Sequence, residues 1–347
     1  MHMADALISP VVGGTMWLAT AGLATYSAKK IKQGLDEKKV PLMGVLGAFI
    51  FSAQMINFTI PGTGSSGHLG GAMILAILLG PHAAFLTIAS VLAIQALFFA
   101  DGGLLALGCN IFNLGFFPCF IAYPFIYKQI VGERSNQKRL FLGATIASII
   151  GLQLGAFGVV LETVSSGISD LPFSTFVLLM QPIHLAIGIV EGLVTTAIIL
   201  FVWRERPEII QKAAMSESLG NLTIKPVLVG LLAFTLITGG VLSWFASSNP
   251  DGLEWSLAKA TGVEELQAPE DGIHGILAAI QKKVAFMPDY NFKEAEESVV
   301  NAPKGKVEES WPAVNSGTST AGIVGAMMTL LLAGVIGKSL QLVVKRH

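Results

Sequence analysis

Nine apolar runs in this 347-residue chain contain no Lys or Arg at all. They cover residues 10–28, 41–60, 69–79, 82–100, 104–127, 140–161, 173–203, 226–246 and 317–337. A bilayer core takes about 20 apolar residues as a helix, because only a helix or a closed barrel satisfies every backbone polar group away from water. Eight runs reach that length, while 69–79 is short enough to be a half-span or a re-entrant piece. The expected fold is therefore all-α and polytopic in a membrane. Only 13% of the chain is charged, about half the share of an average soluble domain. A net charge of -1 with no basic stripe excludes nucleic acid as a principal partner.

The excluded charges fix an expected orientation. Short basic segments fall at 29–39, 128–139 and 204–225, and a basic tail begins at Lys338. By the positive-inside rule these face the cytoplasm. The first two share a side only if 69–79 crosses. The N-terminus then lies outside, together with 61–68, 101–103, 165–172 and the long segment 247–316. That last segment carries 12 of the 23 acidic residues, and a loop of its length escapes the charge rule. It exceeds ordinary connection lengths, so it is either a small folded cap or partly disordered. No basic stretch precedes the first run, which argues against a cleaved signal peptide. Met1 is expected to be retained, because His2 is not small. Residues 1–225 form a seven-span unit and 226–347 a two-span unit around the loop.

Two nucleotide-like motifs fail on context. Gly62-Thr63-Gly64-Ser65-Ser66-Gly67 fits G-x-G-x-x-G, but it follows a membrane span and no acidic residue lies about 20 positions on. Gly337-Lys338-Ser339 resembles the end of a phosphate-binding loop, but Leu332 stands where its first Gly is needed. Any ATP-driven function therefore needs a partner. Cys109 and Cys119 lie in one apolar run and build no disulfide framework or zinc site.

The chain opens Met1-His2 on the outer face. A free α-amine, the next amide nitrogen and the His2 imidazole close fused chelate rings on one metal ion. The amide nitrogen ligates only when deprotonated, which Ni(II) or Cu(II) drives in a square plane. His68, in the outside Gly-rich loop, is the obvious fourth donor. Planar nitrogen sets suit these ions better than Mg, Ca or Mn. On spacing alone, His2 as a mere second residue and His68 as a loop residue stays open. His82, His184, His274 and His347 lack metal-ligand spacing. Glu162 and Glu191 lie within or near apolar cores, where a carboxylate is a functional candidate because its burial is costly. A proton-coupled secondary transporter using Glu191 and His184 is accordingly the rival reading. Asn57, Gln95, Asn110, Asn113 and Gln153 suit interhelix hydrogen bonds or support around a metal. Gly44, Ala48 and Ser52 form a small-residue face for close helix packing, as do Thr20, Ala24 and Ala28.

Several segments resemble a known family. Met1-His2-Met3-Ala4-Asp5, Gly67-His68-Leu69-Gly70-Gly71, Ala96-Leu97-Phe98-Phe99-Ala100-Asp101-Gly102-Gly103 and Leu107-Gly108-Cys109-Asn110-Ile111-Phe112-Asn113 resemble the cobalt/nickel substrate-binding S component (CbiM/NikM) of energy-coupling-factor transporters. Pro250-Asp251-Gly252-Leu253-Glu254 resembles the signature of that family's two-span accessory subunit (CbiN/NikN). The resemblance covers nearly the whole chain as a fusion. It implies a metal held by the Met1 amine, the His2 amide and imidazole nitrogens and the His68 imidazole. Asp5 and Asp101 match acidic positions of its motifs, and Asn110 and Asn113 are candidates for the surrounding shell. Met3-Ala4 departs from the Ile-Pro or Ile-Met common after Met-His in the family. The resemblance also implies a transmembrane coupling subunit, two cytoplasmic ATPases, a cell-membrane location and a C-terminus inside. It implies no enzyme activity and no resident cofactor. The expected transported ion is Ni(II) or Co(II), with Ni(II) slightly preferred because d⁸ Ni(II) suits a planar field.

Overall fold

The computed structural model describes residues 2–31, 38–132, 136–169, 171–293 and 311–344. It is all-α apart from one short hairpin, with helices α1 Pro10–Ile31, α2 Lys39–Gln54, α3 Ala72–Leu79, α4 Pro81–Phe98, α5 Leu107–Val131, α6 Gln137–Ser166, α7 Phe173–Glu205 and α8 Pro207–Ala214 in the first unit. The second unit has α9 Lys225–Gly240, α10 Gly252–Thr261, α11 Gly272–Val284 and α12 Ser316–Val344. Strands β1 Phe58–Ile60 and β2 Ser65–Gly67 pair antiparallel, with Thr59 opposite Ser66. Among the described residues, α4, α5, α6, α7 and α12 are long and apolar enough to cross a membrane, and α2 and α9 are shorter apolar helices. Exposed Leu178, Leu185, Ile189 and Leu193 on α7, and Met327, Leu331 and Val335 on α12, suit hydrocarbon contact. The chain is a multi-pass membrane protein.

Local sequence sets the helix ends. Asn136 caps α6 by accepting from the Arg139 N–H at 3.0 Å, and Gly167 closes that helix in the left-handed region. In α5, Pro118 and Pro124 lack the N–H that an α-ladder needs, and residues Phe112–Tyr127 widen into π-helical winding.

The run 69–79 does not form a spanning helix. α3 has eight residues, all buried, so at 1.5 Å per residue it is about 12 Å long against a core of about 30 Å. Non-helical residues 68–71 precede it, after β2. Its far end, Leu79-Gly80-Pro81-His82, lines a cavity with Lys30 and Lys39. The passage from the hairpin to the basic face is thus part irregular and part helical. Such backbone is tolerated at membrane depth only inside protein that satisfies its polar groups. Glu191 of α7 supplies this, its two oxygens accepting from the N–H of Gly70 at 3.1 Å and of Gly71 at 3.0 Å. Gln54 donates to the Gly70 carbonyl at 2.8 Å, and Gln95 donates to Gln54 at 3.0 Å. Gly71, at φ 78, makes the turn into α3 where a side chain would also strike Ile50.

The small face of α2 is covered by the chain's own second unit. A Cβ on Gly44 would lie 3.0 Å from the Leu330 carbonyl, and Gly322 of α12 packs so closely on α9 that its Cβ would fall 2.4 Å from the Gly239 carbonyl. A Gly322→Ala substitution therefore forces backbone apart and is expected to cost about 1–3 kcal/mol. Gly334 on the same helix has open space around it, so Gly334→Ala is expected to stabilise by about 0.4–1 kcal/mol. Thermal unfolding of the two variants in detergent checks the contrast; equal shifts would contradict the close α9–α12 packing.

Candidate metal-capture site

The residues after the N-terminus are fastened into the bundle rather than left as a tail. Met3 is fully buried. Its N–H donates to the Asn110 side-chain oxygen at 2.8 Å, and its carbonyl accepts from Asn110 Nδ2 at 3.2 Å and from the Gly103 N–H at 2.9 Å. Asn110 thus acts as a strand-like partner to one residue of backbone. Asp5 accepts from the Ala106 N–H at 2.9 Å. Gly102 takes φ 84, and a Cβ there would lie 2.9 Å from Asn110 Nδ2 and 3.3 Å from His2 Cβ. That backbone turn is what lets the 101–103 loop close around His2.

His2 Nδ1 lies 2.9 Å from Asp101 Oδ1. Its ring stacks on that of His68, with centroids 5.0 Å apart and planes 10° apart. Among the described residues, the buried His2 Nε2 has no hydrogen-bond partner. His68 Nδ1 lies 3.1 Å from the Leu69 carbonyl; donation there leaves the ring's lone pair on Nε2, on the side of Asp251, whose Oδ2 is 3.8 Å away. Burial pushes the His68 pKa down to about 3, so at neutral pH this ring is an uncharged donor, the form that ligates metal. Burial works to raise Asp101, but the His2 ring beside it and hydrogen bonds from His2 and Tyr290 outweigh that and hold it well below the usual carboxylate range. The site therefore pairs neutral nitrogen with fixed negative charge.

The structure brings His2, His68 and Asp101 together. Met1 lies outside the described residues. Asp5 and Asn110 hold backbone, and Asn113 sits a layer deeper, donating to Glu162 at 2.6 Å with Met3 Sδ 4.0 Å away. His184 Nδ1 meets the Met180 carbonyl at 2.7 Å; its buried Nε2 has no partner among the described residues, and the residue lines a small cavity with His68 and Asp251. Among the described residues no three His, Cys, Asp or Glu side chains have metal-holding geometry.

Two residues of the site come from the second unit and were missed by the sequence. Asp251 caps α10, accepting from the N–H groups of Leu253 and Glu254, while Glu254 returns the bond to the Asp251 N–H at 2.8 Å. This capping box was legible in Asp251-x-x-Glu254; its place beside His68 was not. Tyr290 donates to Asp101 Oδ2 and stacks on Phe99 at 5.2 Å, and no local pattern announces it. Further fasteners join the halves: Gln281 donates to the Ala96 and Gly102 carbonyls, both at 2.8 Å, and His274 Nε2 lies 2.9 Å from the Ile8 carbonyl. The described part of the long loop is thus a folded cap over the site.

Residues 2–209 match the cobalt uptake substrate-specific transmembrane region, CbiM, and residues 225–342 match the PDGLE domain. The chain belongs to the CbiM family. In this chain the CbiM region is followed by a PDGLE domain. The fused nickel transport protein NikMN of Rhodobacter capsulatus is 31% identical over 88% of this chain and 92% of its own. The cobalt transport protein CbiM of Geobacter sulfurreducens is 25% identical over 78% and 80%. A crystal structure of a truncated transition metal transporter aligns with a TM-score of 0.53 and 31% identity, covering 59% of this chain and 99% of that one. All three are metal transport proteins by name.

Proposed function

We propose that the chain is the metal-capturing membrane subunit of a transition-metal uptake system, holding Ni(II), with Co(II) close behind, on the Met1 amine, the His2 amide and imidazole nitrogens and the His68 imidazole. The observation that carries this is the stacking of His2 on His68, 66 positions apart in sequence, at 5.0 Å. The names of the nickel and cobalt transport relatives support it. In the proposed complex the His2 amide nitrogen and Nδ1 close a six-membered chelate ring, so Nδ1 passes from Asp101 to the ion. A divalent ion with one deprotonated amide keeps one positive charge. Asp101 and Asp251, already beside the two rings, offset it in a poorly solvated place where an isolated charge is costly. Planar nitrogen donors favour Ni(II), while Cu(II) must be excluded by availability.

The site faces outside in this reading, with the C-terminus cytoplasmic. A transmembrane coupling subunit and two ATPases supply the energy for inward release, and the bilayer is the cell membrane. The rival proton-coupled carrier has less support, because both oxygens of Glu191 are committed to the Gly70 and Gly71 N–H groups. Equilibrium binding of Ni(II) and Co(II) to the purified chain tests the site. His2→Ala and His68→Ala each remove a ligand, and each is expected to weaken Ni(II) by more than the roughly 100-fold that loss of a mere supporting group costs. Unchanged affinity in both variants would refute the site.

A further inference from the structure

The Asp101 carboxylate is shared between the two units of the chain. Its Oδ1 meets His2 Nδ1 at 2.9 Å, and its Oδ2 accepts from the Tyr290 hydroxyl. Tyr290 stands in a turn fastened on several sides. The Met287 N–H donates to the Phe98 carbonyl at 3.3 Å, and the Asp289 N–H to the Phe99 carbonyl at 2.9 Å. The Tyr290 ring stacks on Phe99 and meets Phe51 edge-on at 6.1 Å. Asn291 Oδ1 occupies the space that a Cβ on Gly317, at the head of α12, would need. The backbone around the contact is strained. Among the described residues four other than Gly take a positive φ, and three of them flank or form this contact: Ala100 at 55, Asp289 at 50 and Tyr290 at 57. Side chains disfavour that region, and such conformations persist where the surroundings over-determine them, often at ligand clamps. His274 and Gln281 already join the units through backbone carbonyls, so the cap does not need this turn merely to close. What the turn adds is an O–H aimed at the carboxylate oxygen that His2 does not use.

We propose that Tyr290 is a positioning residue for metal capture, its hydroxyl holding the Asp101 carboxylate beside the ion once His2 Nδ1 has passed from Asp101 to the metal. The inference rests on the capture reading above and gives the PDGLE unit a defined part in it. In the metal-free site His2 and Tyr290 hold one carboxylate oxygen each. In the loaded site Oδ1 has lost the His2 ring, and the Tyr290 bond to Oδ2 keeps the negative charge next to the cation. A hydrogen bond to a carboxylate is about twice as strong as a neutral one. A charge fixed in a poorly solvated site acts on its counter-charge more strongly than one that swings into water.

Equilibrium Ni(II) binding to the full-length parent, Tyr290→Phe, Asp101→Ala and the double variant tests this. Phenylalanine keeps the stack on Phe99 and removes only the hydroxyl. Tyr290→Phe is expected to weaken Ni(II) by about 10- to 100-fold, as for other groups that support a metal from behind its ligands. Once Asp101 is alanine, Tyr290→Phe should cost nothing more, because residues in contact are not additive. Infrared difference spectra, Ni(II)-loaded minus metal-free, add a readout that a loosened fold does not imitate. The parent should show a carboxylate band that Asp101→Ala removes, and Tyr290→Phe should shift that band. An unshifted band, parent-like affinity in Tyr290→Phe, or the same fold loss in both Asp101 backgrounds overturns the positioning role and leaves the metal site standing. Parent-like Ni(II) affinity in His2→Ala overturns the site itself, and the role of Tyr290 with it.

Discussion

Four residues of Gly and Ser appended ahead of Met1 are expected to abolish tight Ni(II) binding, and proteolytic removal that restores Met1 as the first residue should bring it back. The expectation follows from chelate geometry. The first donor in the proposed set is an α-amine, and a tag turns it into an amide nitrogen that is far less basic. His2 then no longer lies next to a terminal amine, so the fused rings cannot close on that amine. The loss should exceed the roughly 100-fold typical of an outer-shell change. Folding is not at stake. Met3, Asn110, Gly103 and Asp5 hold the segment through bonds that begin after His2, so the thermal transition should stay put. Titration calorimetry before and after cleavage reads the effect. A tagged chain that binds as tightly as the cleaved one would eliminate the amine as a ligand.

Glu191→Ala, on α7, should be the change that most destabilises the loop that carries His68. It strands the Gly70 and Gly71 N–H groups in the interior, at about 1–3 kcal/mol for each unpaired buried group. The summed cost is about 2–6 kcal/mol. Because those glycines follow His68 directly, Ni(II) affinity should also fall, by about 10- to 100-fold, as for other groups that orient a ligand. Glu191→Gln keeps one acceptor oxygen and should recover about half the stability and most of the affinity. Thermal unfolding and equilibrium binding on the same samples separate the two effects. A proton-coupled carrier predicts the opposite split, with binding intact and transport lost in Glu191→Gln. An alanine variant as stable as the parent would show that the loop does not depend on this anchor.

Helices are legible here because the bilayer constraint is one-dimensional. An apolar run free of Lys and Arg has one common outcome, and 82–100, 104–127, 140–161, 173–203 and 317–337 fall within or largely on α4, α5, α6, α7 and α12. The exception, 69–79, fails for a reason that no local window contains. Its missing length is made up by non-helical backbone, which is viable only because Glu191, 120 positions from Gly71, reaches it. The same residue looked like a transport carboxylate from sequence, because burial marks a carboxyl group as important without saying which backbone it serves. The small face of Gly44, Ala48 and Ser52 announced close packing but not its partner, which is the last helix of the same chain.

By itself the sequence determined the membrane class and pointed to two units and two imidazoles as a proposal, because hydrophobic length, charge exclusion and chelate spacing are all local properties. Only the tertiary structure decided that Asp101 would lie against His2, and that Asp251 and Tyr290 of the second unit would close over the site. Those contacts span long chain separations and depend on how α10 packs on α7 and β2 and how α11 and the 288–290 turn pack on the 96–103 loop. Side-chain convergence of that kind is set by packing and by buried polar groups finding partners, and neither is written in any one stretch of residues.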